Sequence, residues 1–196
     1  RNLEITYSMN EGGKDGSLIS ILDKTCTAMG GRLFKQWLTR PLKNLEPIKT
    51  RLEIVRSFID KSDIFAKLKA ELNEICDMER IISKVCTARA NPRDVVTLKN
   101  TVKRIPDIIN ILQQFKSGSV KVLSEKLKPL DELVKIIDTA LVDDPSVQLG
   151  TGNVFKQGYS EELDSYIDAK YSGKNWVSNY QNSERERSGI PSLKVG

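Results

Sequence analysis

Histidine is absent from this chain of 196 residues. Serine and cysteine nucleophiles that depend on an imidazole base are therefore excluded, because no imidazole is present to take their proton. The 26 Asp and Glu residues leave carboxylate catalysis formally open. Most of these acids, however, stand among Lys and Arg at helical spacing, which is typical of a solvated helix face. We therefore predict no catalytic residue in this chain.

Cysteine is scarce, and its pattern does not suit a metal or a disulfide framework. Cys26, Cys76 and Cys86 are an odd number at wide spacing. A structural zinc site uses ligand pairs about two to four residues apart, often with histidine. The sequence predicts no metal site, and it favours reduced thiols packed as small apolar groups in a cytosolic protein.

Long apolar runs and phosphate loops are missing as well. No apolar run approaches the roughly 20 residues of a membrane-spanning helix. The Gly-Lys pairs at residues 13–14 and 173–174 are followed by Asp15 and Asn175, where a Walker A loop needs Ser or Thr. We therefore predict no membrane partner and no nucleotide cofactor for these residues.

Aromatic residues make up only 6% of the chain, against 39% hydrophobic residues overall. This balance favours aliphatic helix packing, so the predicted fold class is all-α with minor short β elements. Residues 1–16 read as a brief extended segment followed by a glycine-rich loop. Apolar residues then recur at helical spacing along most of the chain.

Helix starts and stops can be placed from capping residues and prolines. We predict a helix that buries Trp37 and stops before Pro41, and one capped by Asn44. Two more helices are predicted to begin after Asp77 and at the Asn91-Pro92 pair, and another is predicted over residues 127–141. The helix after Asn44 is predicted to bury a stripe made of Ile48, Leu52, Val55 and Phe58 or Ile59. The apolar stripe from Val95 to Leu112 contains Pro106, which predicts a kink or break there.

Residues 143–158 change character, because Asp143, Asp144 and Pro145 are followed closely by Gly150, Gly152 and Gly158. We predict a loop with a small hairpin and place a domain boundary here, between residues 1–157 and 158–196. Ser160 is the predicted cap of a long helix that Gly189 ends, and the residues from 190 onward read as the entry to a strand. The basic excess lies in residues 1–157, without the clustered stripe of a dedicated nucleic-acid surface.

Five ordered segments resemble one protein family. The stretch Leu22-Asp23-x-Thr25-x-Thr27-x-Met29-Gly30-x-Arg32-Leu33, with Trp37-Leu38 and Pro41-Leu42, is similar to the opening of the core domain of bacterial MutS DNA mismatch repair proteins. Asp77-Met78-Glu79-Arg80 and Asn91-Pro92-Arg93-Asp94 resemble later elements of that core. The stretches Gly158-Tyr159-x-Glu161-Glu162-Leu163-Asp164 and Glu184-Arg185-Glu186-Arg187-x-Gly189-Ile190-x-x-Leu193-Lys194-Val195-Gly196 resemble the entrance to the clamp domain.

The resemblance implies a role for the chain within a larger protein. MutS proteins are dimeric ATPases that encircle DNA, recognise mismatches and recruit MutL. Their mismatch-reading and ATPase domains would lie outside this chain, which would hold no cofactor itself, while ATP or ADP with Mg²⁺ would bind elsewhere in the parent. Residues 1–157 would be the core and lever. Residues 158–196 would be the first, descending segment of the clamp, truncated and protruding as a long helix. A cytoplasmic, nucleoid-associated location follows from the same resemblance.

The resemblance also supplies candidate functional positions. The lever would carry nucleotide state to the DNA end by rigid-body movement, and Pro106, Gly150, Gly152 and Gly158 are the candidate hinges. Lys174 and Lys194 are the nearest candidates for contact with DNA phosphates.

Two alternatives stay open. The chain could be the core of a MutS relative that acts in recombination, although the clamp-entry motif argues against the paralogue that lacks a clamp. It could also be a stand-alone helical scaffold that binds a protein partner. The chain begins without Met and ends abruptly, which we interpret as a piece cut from a longer protein.

Overall fold

The fold is built from helices. The computed structural model describes residues 4–8, 15–148, 152–190, 192 and 194, and these residues contain ten helices. They are α1 (Leu18–Leu22), α2 (Ala28–Thr39), α3 (Leu45–Asp60), α4 (Ser62–Asn73), α5 (Met78–Cys86), α6 (Pro92–Val102), α7 (Ile105–Gln113), α8 (Gly118–Lys126), α9 (Asp131–Ala140) and α10 (Glu161–Ser188). A single antiparallel bridge between Leu141 and Phe155 is the β pairing found in the described ranges. The predicted all-α class is confirmed. None of the helices in the described part is long and apolar enough to cross a membrane.

Local signals set the helix boundaries. The Asn91 side chain accepts from the backbone N–H of Asp94, and the Asp94 side chain accepts from the Asn91 N–H, so a full capping box starts α6. The Asp77 carboxylate likewise accepts from the Arg80 N–H at the start of α5. Because Pro92 has no N–H to satisfy, it fits the first turn of α6 without cost. Both predicted starts are confirmed.

One apolar core lies among α3, α4, α7 and α8. Its buried members are Leu68, Ile108, Leu112, Phe115 and Val120. Phe58 from α3 packs edge-on against Phe115, with ring centroids 5.1 Å apart. This core ties together helices that are far apart in the sequence.

A second, smaller core joins α6 to α9 and to the bridge that follows α9. It contains Val96, Ile137, Ala140, Leu141 and Val154. Val154 belongs to the segment between α9 and α10, so this core reaches the segment that precedes the longest helix.

Residues 95–141 form more and shorter helices than the spacing of their apolar residues predicts. The stripe around Pro106 is two helices, α6 and α7, with a break at Lys103 and Arg104, and Pro106 is the second residue of α7. The predicted helix over 127–141 begins only at Asp131, because Pro129 disfavours helical backbone at the residue before it. The helix α8 is an addition that the sequence analysis did not predict.

Two predictions of burial were wrong. Leu52 and Val55 of α3 are exposed, because α3 turns Ile54 toward the core instead. Of the two alternatives Phe58 and Ile59, Phe58 packs on the core and Ile59 is exposed. Trp37 is 42% exposed, and the Arg51 guanidinium lies 3.5 Å from its ring centre.

The short β elements predicted at the two chain ends lie only partly within the described residues. The carbonyls of Glu4 and Ile5 accept from the N–H groups of Leu18 and Ile19, and residues 4–8 form no strand, with a bend at Ile5 and Thr6. The predicted glycine-rich loop and the predicted strand entry after residue 189 lie largely outside the described residues.

Candidate functional site

The longest helix, α10, stands apart from both cores. It has 28 residues, which corresponds to roughly 42 Å at the usual rise per residue. None of its residues is buried. A helix of this length with no buried side chain is suited to reach beyond the rest of the chain.

Local interactions hold the ends of α10. The Ser160 hydroxyl accepts from the Leu163 N–H at 3.3 Å, as predicted for a cap. Acidic residues occupy the first turn and Arg185 and Arg187 the last, so both ends are matched to the helix dipole. Gly189 closes the helix with φ of +70°, a left-handed conformation that glycine adopts without strain.

The segment that precedes α10 is attached to the end of α9. The Lys156 N–H donates to the Ala140 carbonyl at 2.9 Å, and the Val142 N–H donates to the Val154 carbonyl at 3.1 Å. The Lys156 ammonium also donates to the Asp138 carbonyl at 2.6 Å. We call residues 138–142 and 154–160 the α10 base. Its short ladder fixes where α10 leaves the helices α1–α9, which we call the helical body.

A charged group lies beside the α10 base. Lys99 of α6 is 1% exposed, and its Nζ lies 2.7 Å from Asp138 Oδ1 and 3.1 Å from Asp143 Oδ1. Lys103 Nζ lies 2.7 Å from the other Asp138 oxygen. We call these four residues the lysine cluster. Two cations and two carboxylates balance one another, which makes the burial of Lys99 tolerable.

The contacts between Lys99 and Asp138 favour the charged form of both side chains. Hydrogen bonds from Lys103 and then from Lys99 lower the pKa of Asp138 to about 2. The hydrogen bond to Asp138 raises the pKa of Lys99 above its usual value, against the effect of burial. The cluster therefore links α6, α9 and the loop after α9 by ionic hydrogen bonds.

A second contact from α6 holds the same loop. The Arg93 Nε donates to the carbonyl of buried Pro145 at 2.8 Å, and its guanidinium pairs with Asp144 at 3.2 Å. Since Lys99 holds Asp143 and Arg93 holds the next two residues, α6 fixes the start of the loop that leads to α10.

A separate ionic group joins two of the motifs found in the sequence. Arg32 of α2 donates to both Asp77 oxygens at 2.9 and 2.7 Å and to Glu79 Oε2 at 2.9 and 2.6 Å. These bonds lower the pKa of Asp77 to about 2 and raise that of Arg32. Arg32 therefore attaches α2 to the start of α5.

The predicted hinge residues fall in two separate places. Gly152 and Gly158 lie on either side of the paired residues 154–156, whereas Pro106 lies in the first turn of α7. Gly158 has φ of +84°, and a Cβ on Gly152 would come within 3.0 Å of the Ser146 Cβ, so both positions favour glycine. Gly150 lies outside the described residues.

The predicted DNA-contact residues are both exposed. Lys174 lies midway along α10, and Lys194 lies beyond its end. The exposed rings of Trp176 and Tyr180 stack at 5.4 Å on another side of α10, because residues two and six positions after Lys174 do not share its face. The structure does not bring the two lysines together with the hinge residues.

Lys99 was missed by the sequence analysis, although a signal was present. It stands between Val95, Val96 and Val102 in an apolar stripe, where a lysine must either reach solvent or find a buried partner. Its partners Asp138 and Asp143 lie far along the chain, so only the fold identifies them. Among the residues that the structure describes, no group of His, Cys, Asp and Glu is arranged to hold a metal ion.

Comparison with known proteins adds a family match. The family model described as MutS domain III matches residues 1–189. The chain is 41% identical over 196 residues to the DNA mismatch repair protein MutS of Salinibacter ruber, covering 100% of this chain and 22% of the relative. It is 40% identical over 195 residues to MutS of Clostridium botulinum strain Okra, covering 100% of this chain and 21% of the relative. It is 41% identical over 196 residues to MutS of Caldanaerobacter subterraneus, with 100% and 23% coverage. The chain therefore spans about a fifth of the length of the curated relatives it matches.

Proposed function

The chain belongs to the MutS family of DNA mismatch repair proteins, in which it corresponds to domain III, and from this premise we propose that it is the lever of the parent protein. In this role the helical body receives movement from an ATPase domain elsewhere in the polypeptide, and α10 carries that movement to a clamp on DNA. The chain itself performs no catalysis. ATP or ADP with Mg²⁺ belongs to the rest of the parent.

The attachment of α10 to the body is the observation that carries this proposal. Within the α10 base, residues 154–156 are hydrogen-bonded to the end of α9, and the lysine cluster fixes the adjoining loop on α6. Packed helices deform little, so a displacement of α6 and α9 would be passed on to the start of α10. Along a helix of roughly 42 Å, a small rotation at the base becomes a movement of several ångströms at the tip.

The hinge residues complete the lever. Gly152 and Gly158 flank the paired segment, which suits small changes of backbone angle at the α10 base. Gly150 belongs to the same loop in sequence. The break before Pro106 would let α6 and α7 move as separate units. In this proposal residues 1–157 form the core and lever, and residues 158–196 begin the clamp.

DNA contact in this chain is assigned to the outer part of α10. Lys174 and Lys194 would meet phosphates there. The partners of the parent are mismatched and matched duplex DNA, a second MutS subunit and MutL. Its proposed location is the bacterial cytoplasm at the nucleoid. Identity of about 40% to proteins named for mismatch repair favours this role over recombination.

Distances between spin labels in the full-length protein would test the lever. In a background without other cysteines, labels at Ser178→Cys on α10 and Lys69→Cys on α4 span the α10 base. We expect the distance distribution to shift by several ångströms between the ADP-bound and ATP-analogue-bound states on DNA. The control pair Lys69→Cys and Lys121→Cys lies within the body and should not shift.

Two results would contradict the proposal. Identical α4–α10 distributions in all nucleotide states would show that α10 does not move with the ATPase cycle. Equal shifts in both label pairs would show that the body itself deforms, so that it could not act as a rigid lever.

A further inference from the structure

Helix packing divides the helical body into two groups. Helices α3, α4, α7 and α8 pack on one another around Phe115 and Val120, and we call them the first group. Helices α5 and α9 both pack on α6, and we call these three the second group. Among the described residues, each extended contact between two helices lies within one of these groups. Because the α10 base is attached to the end of α9, it belongs with the second group.

Polar side chains join helices within the same two groups. In the first group, the Glu53 carboxylate of α3 accepts from the hydroxyls of Ser117 and Ser119 at the start of α8, each at 2.8 Å. In the second group, Lys84 of α5 lies 2.7 Å from the Asp94 carboxylate of α6, and the lysine cluster joins α6 to α9. Since packed helices deform little, we expect each group to move as one unit.

The chain passes from the second group to the first between α6 and α7. Lys103 is held by Asp138 of α9 at 2.7 Å, whereas the next residue, Arg104, is held by Glu71 of α4 at 3.0 Å. Pro106 lacks the N–H that would continue the hydrogen bonds of α6 into α7. The two groups therefore part between Lys103 and Arg104.

A second crossing of the chain lies beside the first. Ile75, which follows α4, packs on the core of the first group. The Cys76 N–H donates to the Thr101 hydroxyl of α6 at 3.2 Å, and that hydroxyl donates to the Cys76 sulfur at 2.9 Å. Because Thr101 comes three residues before Arg104, the two crossings are neighbours and define a line about which the groups can turn. The third crossing, residues 127–130, is an exposed connection that can follow such a turn.

A polar groove of about 530 Å³ lies beside this line. It is lined by Thr97 and Asn100 of α6 in the second group, and by Glu74 at the end of α4 and Asp107 of α7 in the first. Its walls belong to different groups, so a rotation of one group against the other would widen or narrow it. The groove leaves room for that rotation, which a close-packed apolar contact would resist.

Helix α2 touches both groups and is bound more firmly to the second. Arg32 donates to Asp77 and Glu79 at the start of α5 at 2.6–2.9 Å. Toward α3, the Arg51 guanidinium lies 3.5 Å from the centre of the Trp37 ring, which is partly exposed. Cation–π contacts are weak at exposed sites, so we expect α2 to follow the second group.

We propose that the helical body is hinged along the line from Cys76 to Arg104, and that α5, α6 and α9 turn with α10 as one unit against α3, α4, α7 and α8. The inference rests on the proposed lever role and deepens it, because it names the part of the body that moves with α10. The main rotation then occurs within the body, and the glycine positions beside the α10 base adjust the angle of α10.

Spin-label distances in the full-length protein test the hinge. The background lacks other cysteines and carries Cys76→Ser, which keeps a hydrogen-bonding side chain beside Thr101. Labels at Lys69→Cys on α4 and Lys135→Cys on α9 then place one probe on each group, at exposed positions. We expect their distance distribution to shift by several ångströms between the ADP-bound and ATP-analogue-bound states on DNA.

Two control pairs lie within single groups. Lys69→Cys with Lys121→Cys reports on the first group, and Ser83→Cys with Lys135→Cys reports on the second, and both should keep their distributions. A shift in either control pair would overturn the division into two units. An unchanged α4–α9 distribution would overturn the hinge. If the α4–α10 pair alone shifted, the movement would lie at the α10 base, so the lever would stand and the hinge would fail.

Stiffening the break between α6 and α7 gives a second readout. Pro106→Ala supplies the missing N–H and relieves the restriction on the preceding turn, so the nucleotide-dependent α4–α9 shift should fall to about half or less. Pro47→Ala makes the same chemical change in the first turn of α3, within the first group, and should leave the shift as it is. Equal shifts in the two variants would exclude the α6–α7 break as the hinge and overturn the proposal.

Discussion

The helical body and α10 are stabilised in different ways. Phe115 and Val120 are almost fully buried in the body, where helices far apart in sequence pack on one another. In α10 no side chain is buried, and the helix depends on its caps and on pairs such as Arg187 with Glu184 at 2.8 Å. Long helices draw most of their stability from tertiary packing. Because neither core contains a residue of α10, local opening of α10 should cost the helical body little.

Removing an aromatic ring should destabilise the helical body much more than α10. Phe115→Ala should destabilise the body by about 3–5 kcal/mol, because a ring that is 1% exposed leaves a cavity. Urea unfolding followed by Trp37 fluorescence, in a Trp176→Phe background, would measure this loss. Tyr171→Ala is the control in α10, where the ring is 53% exposed and the change should stay within about 0.5 kcal/mol. Equal losses of unfolding free energy for the two substitutions would show that α10 is stabilised by packing as much as the helical body is.

The lysine cluster offers a matched pair of substitutions at one carboxylate. Lys99→Met should cost about 1–3 kcal/mol. This is less than for a fully buried pair, because Asp138 is 35% exposed and keeps Lys103. Lys103→Met removes the same charge from the same acceptor, but this lysine is 46% exposed and should cost less than about 1 kcal/mol. The same urea assay compares them. A larger loss from Lys103→Met would mean that burial does not set the strength of the cluster.

Low pH should lower the stability of the helical body, because Asp138 and Asp77 lose their ionic hydrogen bonds when they are protonated. The folded pKa of Asp138 is about 2, below the usual unfolded value of about 3.9, as is that of Asp77. The contribution of each is therefore complete above about pH 4 and is lost as the pH falls toward 2. Urea midpoints of the wild type should fall across this interval. The urea midpoint of Asp138→Asn should be lower than that of the wild type at neutral pH, and it should fall less steeply as the pH is lowered. If the midpoints of the two proteins fell in parallel, Asp138 would not contribute to the acid sensitivity of the wild type.

The smallest expected effect is confined to the start of α10. Ser160→Ala removes the hydroxyl that accepts from the Leu163 N–H, at a local cost of about 1 kcal/mol. Hydrogen exchange in the first turn of α10 should then quicken by about fivefold, while exchange in the body stays unchanged. Ser172→Ala makes the same chemical change in the middle of α10 and should not speed exchange. Faster exchange in α6 or α9 would show that α10 supports the body after all.

The elements with strong local signals could be predicted from the sequence. The Asn91 capping box, the Ser160 cap and the Gly189 terminator depend on neighbours within a few residues, and all three are confirmed. The helix α8 lacks a strong signal of this kind, since Ser117 makes no cap hydrogen bond and Gly118 stands at its start. Propensity alone did not reveal it.

Predictions that depend on the rest of the fold succeeded less well. The apolar stripe of α3 indicates a helix correctly, but two apolar faces compete for the core and periodicity does not decide between them. Lys99 has partners 39 and 44 residues away, so its site appears only once α6, α9 and the following loop are assembled. The hinge and DNA-contact positions stay predictions, because they concern movement and binding.

Hydrogen exchange at the α10 base of the full-length protein is the most direct test of the lever. Exchange would be measured with ADP and with a non-hydrolysable ATP analogue, both on mismatched DNA. We expect rates in residues 150–158 and at the break before Pro106 to change with nucleotide, while the buried residues of α7 and α8 keep their rates. Unchanged exchange at both breaks would contradict the account, because α10 would then be fixed to the body through the whole cycle.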